Sequence, residues 1–273
     1  MFKYQYKVLL VAAFLVSSLG YAEVSDESLD KLLVLSGLTK QVEQFPAFIV
    51  AGMEQAHQQG APIPEAEFSA IVSSAKASFL PSQMVAGVRA SLKESIDEKE
   101  AQKILAWYES DIGKEITKAE ENASTPEAQQ LMMQMAQSLS EDTARVEFAS
   151  RLDELVGMTD MTMDLQVNSG VAVYTAIMTV MQPDEPLDLD PIKAQISDAS
   201  AQARPAINQM VTISLVYAYK DIDMAKLKKY ETFLNDADTV KFNETVMNSI
   251  SRELHDSILK WADELAKILD SVN

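Results

Sequence analysis

Two methionine clusters are the first residues whose types and spacing could do chemistry. Met132-Met133-Gln134-Met135 and Met158-Thr159-Asp160-Met161-Thr162-Met163 gather thioethers at short spacing. Thioethers are soft ligands that select Cu(I). Histidine offers a second route, because Glu54-Gln55-Ala56-His57 is a Glu-x-x-His half-motif of carboxylate di-iron bundles. Such a centre needs a second copy of the motif on another helix. The other histidine, His255, has Arg252 and not Glu three residues before it. There is no cysteine nucleophile, no Gly-x-Ser-x-Gly, no His-Glu-x-x-His and no phosphate-cradling glycine loop. Asp and Glu total 41, so a carboxylate enzyme of unrecognised type stays open, but so many acids make no single pair distinctive.

The elements that must carry these residues are helical and repeat. Gln83-Met84-Val85 recurs as Gln209-Met210-Val211, an offset of 126, and Ile96-Asp97 recurs as Ile222-Asp223 at the same offset. Leu29-Asp30-x-Leu32 recurs as Leu152-Asp153-x-Leu155, an offset of 123. Trp107 then aligns with Phe233, Ile116 with Phe242 and Met135 with Trp261, so large apolar residues fall on large apolar residues. The expected architecture is an all-α bundle of two tandem, internally duplicated helical units, residues 23–147 and 148–273, packed as one body. Helix starts are expected at Ser25, Asp97, Thr125-Pro126 and Asp223, with a break at Pro81. The helix from Thr125 is expected to run through Leu155. Val246, Ile250, Leu254, Ile258, Trp261, Leu265 and Ile268 make one apolar stripe on the last helix.

The repeat also weighs against copper. Met132, Met133 and Met135 align with Ile258, Leu259 and Trp261, and Met158 and Met161 with Leu35 and Leu38. These partners do no metal chemistry, so the methionines read as adaptable core fillers, with Met163 left at the surface. No metal, cofactor or catalytic residue is expected.

One segment carries a motif. Asp97, Glu98 and Glu100 give an acidic helix start, Trp107-Tyr108 an aromatic pair, and Ser110, Gly113 and Lys114 a Ser-x-x-Gly-Lys turn. The second copy is degenerate, with Phe233-Leu234 for the aromatic pair and Asp236 for Ser110. The segment resembles the bacterial exported family catalogued as domain of unknown function 2059, except that Asp111 stands where members usually have Pro. The resemblance implies an all-helical exported protein and supplies no agreed reaction or ligand. The motif residues Asp97, Trp107, Tyr108, Ser110, Gly113, Lys114, Asp223, Phe233 and Asp236 read as packing and capping residues. A binding role for Tyr108 or Lys114 is the alternative.

The ends and the charge bound the setting. Lys3 and Lys7, the apolar run Val8–Leu19 and Gly20-Tyr21-Ala22 read as a signal peptide over residues 1–22. Its removal takes the formal charge from −18 to −20, with the two lysines gone. Such an acidic surface disfavours nucleic acid and anionic membranes. The expected setting is the periplasm of a Gram-negative bacterium, without stable membrane insertion. The leading functional expectation is a non-enzymatic interaction or scaffold protein with a protein partner. The alternative is a carrier of a lipid or small apolar molecule between the two units, lined by Val171–Val180 and the methionines.

Overall fold

Ser25 starts the first helix: its hydroxyl accepts from the Ser28 N–H at 3.1 Å. Gly37, with φ +75°, ends the turn that follows, a left-handed conformation that favours glycine. The computed structural model describes residues 22–58, 64–181 and 189–272. Residues 1–21, which hold nearly all of the expected signal peptide, lie outside the described residues.

The order is α1 (Asp26–Leu35), α2 (Leu38–Gln58), α3 (Glu65–Ser78), α4 (Pro81–Ser95), α5 (Glu98–Tyr108), α6 (Asp111–Ala123) and α7 (Pro126–Glu141). Then follow α8 (Thr143–Val156), α9 (Met158–Met181), α10 (Asp190–Ala218), α11 (Met224–Leu234) and α12 (Ala237–Val272). The protein is all-α. Among the described residues the only β pairing is an isolated bridge between Glu23 and Asp97.

Local chemistry explains most boundaries. Asp97 accepts from the Glu100 N–H, and the Glu100 carboxylate accepts from the Asp97 N–H, both at 2.8 Å. This capping box satisfies two donors at the start of α5. Glu98 faces the other way and ties α5 to α1. Its carboxylate accepts from Ser25 N–H, Ser28 hydroxyl and Gln102 amide, each at 2.7 Å. These donors hold its pKa down at about 2. The expected single helix from Thr125 to Leu155 is instead two. Asp142 adopts φ −80°, ψ 80°, and its side chain accepts from Arg145 N–H, so it ends α7 and caps α8. A short polar side chain that bonds its own backbone competes with the helix at that point.

Two apolar cores form, and each mixes the halves of the chain. The first joins Leu29 and Leu32 of α1, Val42 of α2, Met84 and Val88 of α4 and Ile104 of α5 to Phe242, Val246, Ile250, Leu254, Ile258, Trp261 and Leu265 of α12. The second joins Ile116 of α6 and Met132 and Leu139 of α7 to Phe148 and Leu152 of α8, Val211 and Val216 of α10 and Leu227 and Tyr230 of α11. The last helices of each half thus pack on the body of the other. Trp107 and Phe233 touch both cores and stack on one another, 4.6 Å between centroids and 8° from parallel. Ion pairs also cross: Lys241 Nζ lies 2.9 Å from Glu100, Lys226 pairs with Glu115, and Lys103 Nζ lies 2.6 Å from Asp236 and 2.7 Å from Asp238.

The methionines divide differently from the core-filler expectation. Met132 is buried, but Met133 is 67% and Met135 37% exposed. Helix α7 presents only one face to α10, and these two residues lie off it. Met163 is half-buried, and its sulfur accepts from Arg204 Nη1 at 3.3 Å. His57 stacks on Phe68 at 4.1 Å, whereas Glu54 is exposed. Among the described residues no group of three or more His, Asp and Glu side chains is arranged to hold a metal.

Candidate functional site

Between the two cores lies a cavity of about 340 Å³. Its walls come from both halves of the chain: Val42 and Phe45 of α2, Tyr108 of α5, Met158 and Met161 of α9, Tyr219 at the C-cap of α10, Tyr230 of α11, and Phe242, Val246 and Ile250 of α12. The polar contributors are few: Ser36, Gln41, Ser124, Ser214, Asn243 and one carboxyl group, that of Glu120 on α6. No Lys, Arg or His is among the described lining residues. A largely apolar concavity with a few converging polar groups is the usual form of a small-molecule site.

Helix geometry puts Glu120 there. It follows Ile116 by four residues, so both fall on the inward face of α6. Tyr219 donates its hydroxyl to Glu120 Oε1 at 2.6 Å, and Tyr230 donates to the same oxygen at 2.8 Å. The other oxygen, Oε2, takes no bond among the described residues and is not fully enclosed. Burial raises the Glu120 pKa above its ordinary 4.5, and the two tyrosine hydroxyls offset only part of that rise. Burial and the nearby Glu120 together push the Tyr108, Tyr219 and Tyr230 hydroxyls upward as well. The tyrosines are therefore neutral donors across the physiological range.

An aromatic belt stiffens this wall. Phe148 meets Tyr219 edge-on at 5.9 Å, and Tyr219 meets Tyr230 at 6.0 Å. Tyr230 stacks on Trp107 at 6.1 Å, and Tyr108 meets Phe233 edge-on at 5.6 Å. The hydroxyls that hold Glu120 are thus fixed by ring packing on their far side.

The motif residues occupy two kinds of place. Ser110 accepts from Gly113 N–H at 3.0 Å and donates to Trp107 O at 2.6 Å, so it caps α6 and closes the turn after α5. Asp223 accepts from Ala225 N–H at the start of α11. Asp236 accepts from Asp238 N–H at 3.1 Å and takes an ion pair from Lys103 at 2.6 Å. Lys114 is exposed. Tyr108 is the motif residue that reaches the cavity; Trp107 and Phe233 stand behind it. Gly113 leaves no room for a side chain, since an added Cβ would lie 2.1 Å from the Trp107 carbonyl oxygen. Gly113→Ala is expected to cost about 1–3 kcal/mol, because backbone rather than a flexible side chain must yield. Denaturant unfolding measures it; a loss below about 0.5 kcal/mol would mean that the α5–α6 turn relaxes freely.

Glu120, Tyr219 and Tyr230 were not candidates on sequence. One signal existed: at the 126-residue offset Glu120 falls on Val246, an acid where the other half has an apolar residue. The lining also differs from the expected one. Met158, Met161 and Met247 contribute, but none of the described side chains of the Val171–Val180 run does. The cavity sits beside the first turn of α9, and Val171 lies thirteen residues further on, about 20 Å along the helix.

The arrangement defines an all-α protein with a tyrosine-held carboxyl in an apolar chamber. Residues 82–142 match the model of a family described as an uncharacterized protein conserved in bacteria, DUF2059. That span covers α4 to α7 and includes the motif from Asp97 to Lys114 and Glu120. No match is found among curated proteins or among solved structures.

Proposed function

We propose that this protein is a non-enzymatic binding protein that carries a small, largely apolar molecule in the chamber between its two halves. The chamber supports this reading better than it supports a scaffold: apolar walls, a rigid aromatic belt and a carboxyl oxygen left open to the chamber among the described residues are features of a ligand site. An enzyme working with paired carboxylates has less support, because Glu120 is the one carboxyl among the described lining residues. The scaffold reading keeps one observation. Leu131 and Met135, 50% and 37% exposed, stand one turn apart on the same face of α7.

The same proposal includes export and duplication. The charged, apolar and small-residue sections of residues 1–22 support secretion into a periplasm. Among the described residues no helix is long and apolar enough to cross a membrane. The duplication is supported by two of the crossed ion pairs, which join Glu100 to Lys241 and Lys226 to Glu115. Those are the same two positions in either half, each 126 apart.

Native mass spectrometry of the protein from the bacterial periplasmic fraction tests the proposal. The expected spectrum shows a chain starting at Glu23 with a non-covalent small molecule attached. The purified protein should also enhance the fluorescence of N-phenyl-1-naphthylamine, a neutral apolar probe. An unliganded chain that gives no enhancement would sink the carrier reading. A chain still starting at Met1 would sink the export reading.

A further inference from the structure

Glu120 is an expensive residue to keep where it is. Its half-buried carboxyl lies among apolar and aromatic groups, with no cation paired to it among the described residues, and loses hydration that two hydroxyl donors only partly restore. At the 126-residue offset the other half places Val246, which lines the same chamber without cost. Stability alone therefore favours an apolar residue at position 120. Acids in such surroundings are found where function needs them.

The remaining features specify what the acid is for. Among the described lining residues the chamber has one acidic group and no basic one, so it repels an anionic head and leaves a cation unopposed. Both tyrosine hydroxyls converge on Oε1, which fixes the carboxyl and leaves Oε2 as an acceptor. Tyr108, Tyr219 and Tyr230 line the chamber together with the acid, and aromatic rings attract organic cations. Beyond them the lining becomes aliphatic, with Val42, Met161 and Ile250.

We infer that the chamber binds an organic ammonium ion with an apolar body, its charged nitrogen on Glu120 Oε2 and its apolar part among the α2, α9 and α12 side chains. This rests on the carrier reading above and names its ligand class. The groups facing Glu120 set the pH behaviour. They are Tyr108 on α5, Tyr219 at the C-cap of α10 and Tyr230 on α11, all displaced upward and neutral, and Glu121 on its own helix, whose carboxylate is paired with Lys40 at 2.6 Å. Burial favours the protonated carboxyl in the empty chamber, and a bound cation favours the carboxylate. Binding therefore releases a proton, and affinity rises with pH until Glu120 is ionised without ligand.

Three eight-carbon amphiphiles test this on the full mature chain: octylammonium, octanol and octanoate, each displacing N-phenyl-1-naphthylamine. Octylammonium is expected to bind at least about tenfold more tightly than octanol, the scale of one charge-assisted hydrogen bond. Octanoate is expected to bind most weakly. For octylammonium the affinity should rise as pH climbs above the ordinary carboxylate value of 4.5, and up to pH 8 its own charge stays constant, about two units below a Lys-like pKa. Glu120→Gln should abolish both the ammonium preference and the pH dependence while octanol still displaces the probe. Retained octanol binding also shows that the variant is folded. Equal affinity for octylammonium and octanol, tighter octanoate, or an unchanged preference in Glu120→Gln would overturn the ammonium assignment and leave the carrier reading standing. A probe that never binds wild type would instead remove the carrier reading itself.

Discussion

Expressed without the rest of the chain, residues 23–141 are expected to give no cooperative unfolding transition, and residues 142–273 none either; combined, the two should restore it. The reason lies in how the cores are shared. The first core loses Phe242, Val246, Ile250, Leu254, Ile258, Trp261 and Leu265 when α12 is absent. Burying a large apolar side chain contributes about 1.5–3 kcal/mol. Seven such losses match or exceed the roughly 5–15 kcal/mol that a whole protein holds in reserve. The second core loses Ile116, Met132 and Leu139 in the same cut, together with the Glu120 acceptor of Tyr219 and Tyr230. Denaturant titration followed by near-ultraviolet circular dichroism reads the outcome. A sharp transition from either half alone would show that it can fill its core by itself.

Trp107→Ala should destabilise the intact protein by about 3–5 kcal/mol, the cost of removing a large aromatic from packed surroundings. Trp107 is only half-buried, which alone would argue for less. Its ring, however, stacks on Phe233 at 4.6 Å and on Tyr230 at 6.1 Å, and it belongs to neither core alone. Its loss therefore loosens both cores and the ring behind the Glu120 hydroxyl donor. Trp107→Phe should cost much less, below about 1.5 kcal/mol as for shape-conserving swaps, since the indole Nε1 has no hydrogen-bond partner among the described residues. Urea unfolding at constant m-value separates the two variants. A loss under about 1 kcal/mol for Trp107→Ala would place the aromatic stack at the periphery.

What the sequence reveals here is local. The caps at Ser25, Asp97, Ser110 and Asp223 can be read because each needs one side chain and the N–H groups two or three residues on. The stripe from Val246 to Leu265 can be read because helical spacing states that a face is buried. Spacing does not state against what, and so the exchange of last helices between halves was not legible. Nor was the exposure of Met133 and Met135, because a thioether suits a core and a surface equally. The break at Asp142 was missed for a related reason: apolar periodicity continues across it while one side chain redirects the backbone. Glu120 carries no motif. It becomes a site only when Tyr219 and Tyr230, about a hundred residues away in sequence, close on it.

Two of the crossed ion pairs have a meaning for how partners are chosen. Glu100 and Glu115 both belong to the first half, and Lys226 and Lys241 both belong to the second. If two first halves closed on each other by this packing, Glu would face Glu at both contacts; two second halves would set Lys against Lys. Each exposed attraction contributes no more than about 1 kcal/mol. The discrimination is larger, because the wrong pairing both forfeits two attractions and incurs two repulsions. Released from one another, the halves would seek the opposite half and reject their own kind. If the two halves are duplicated units, these charges favour pairing of unlike halves within a single polypeptide.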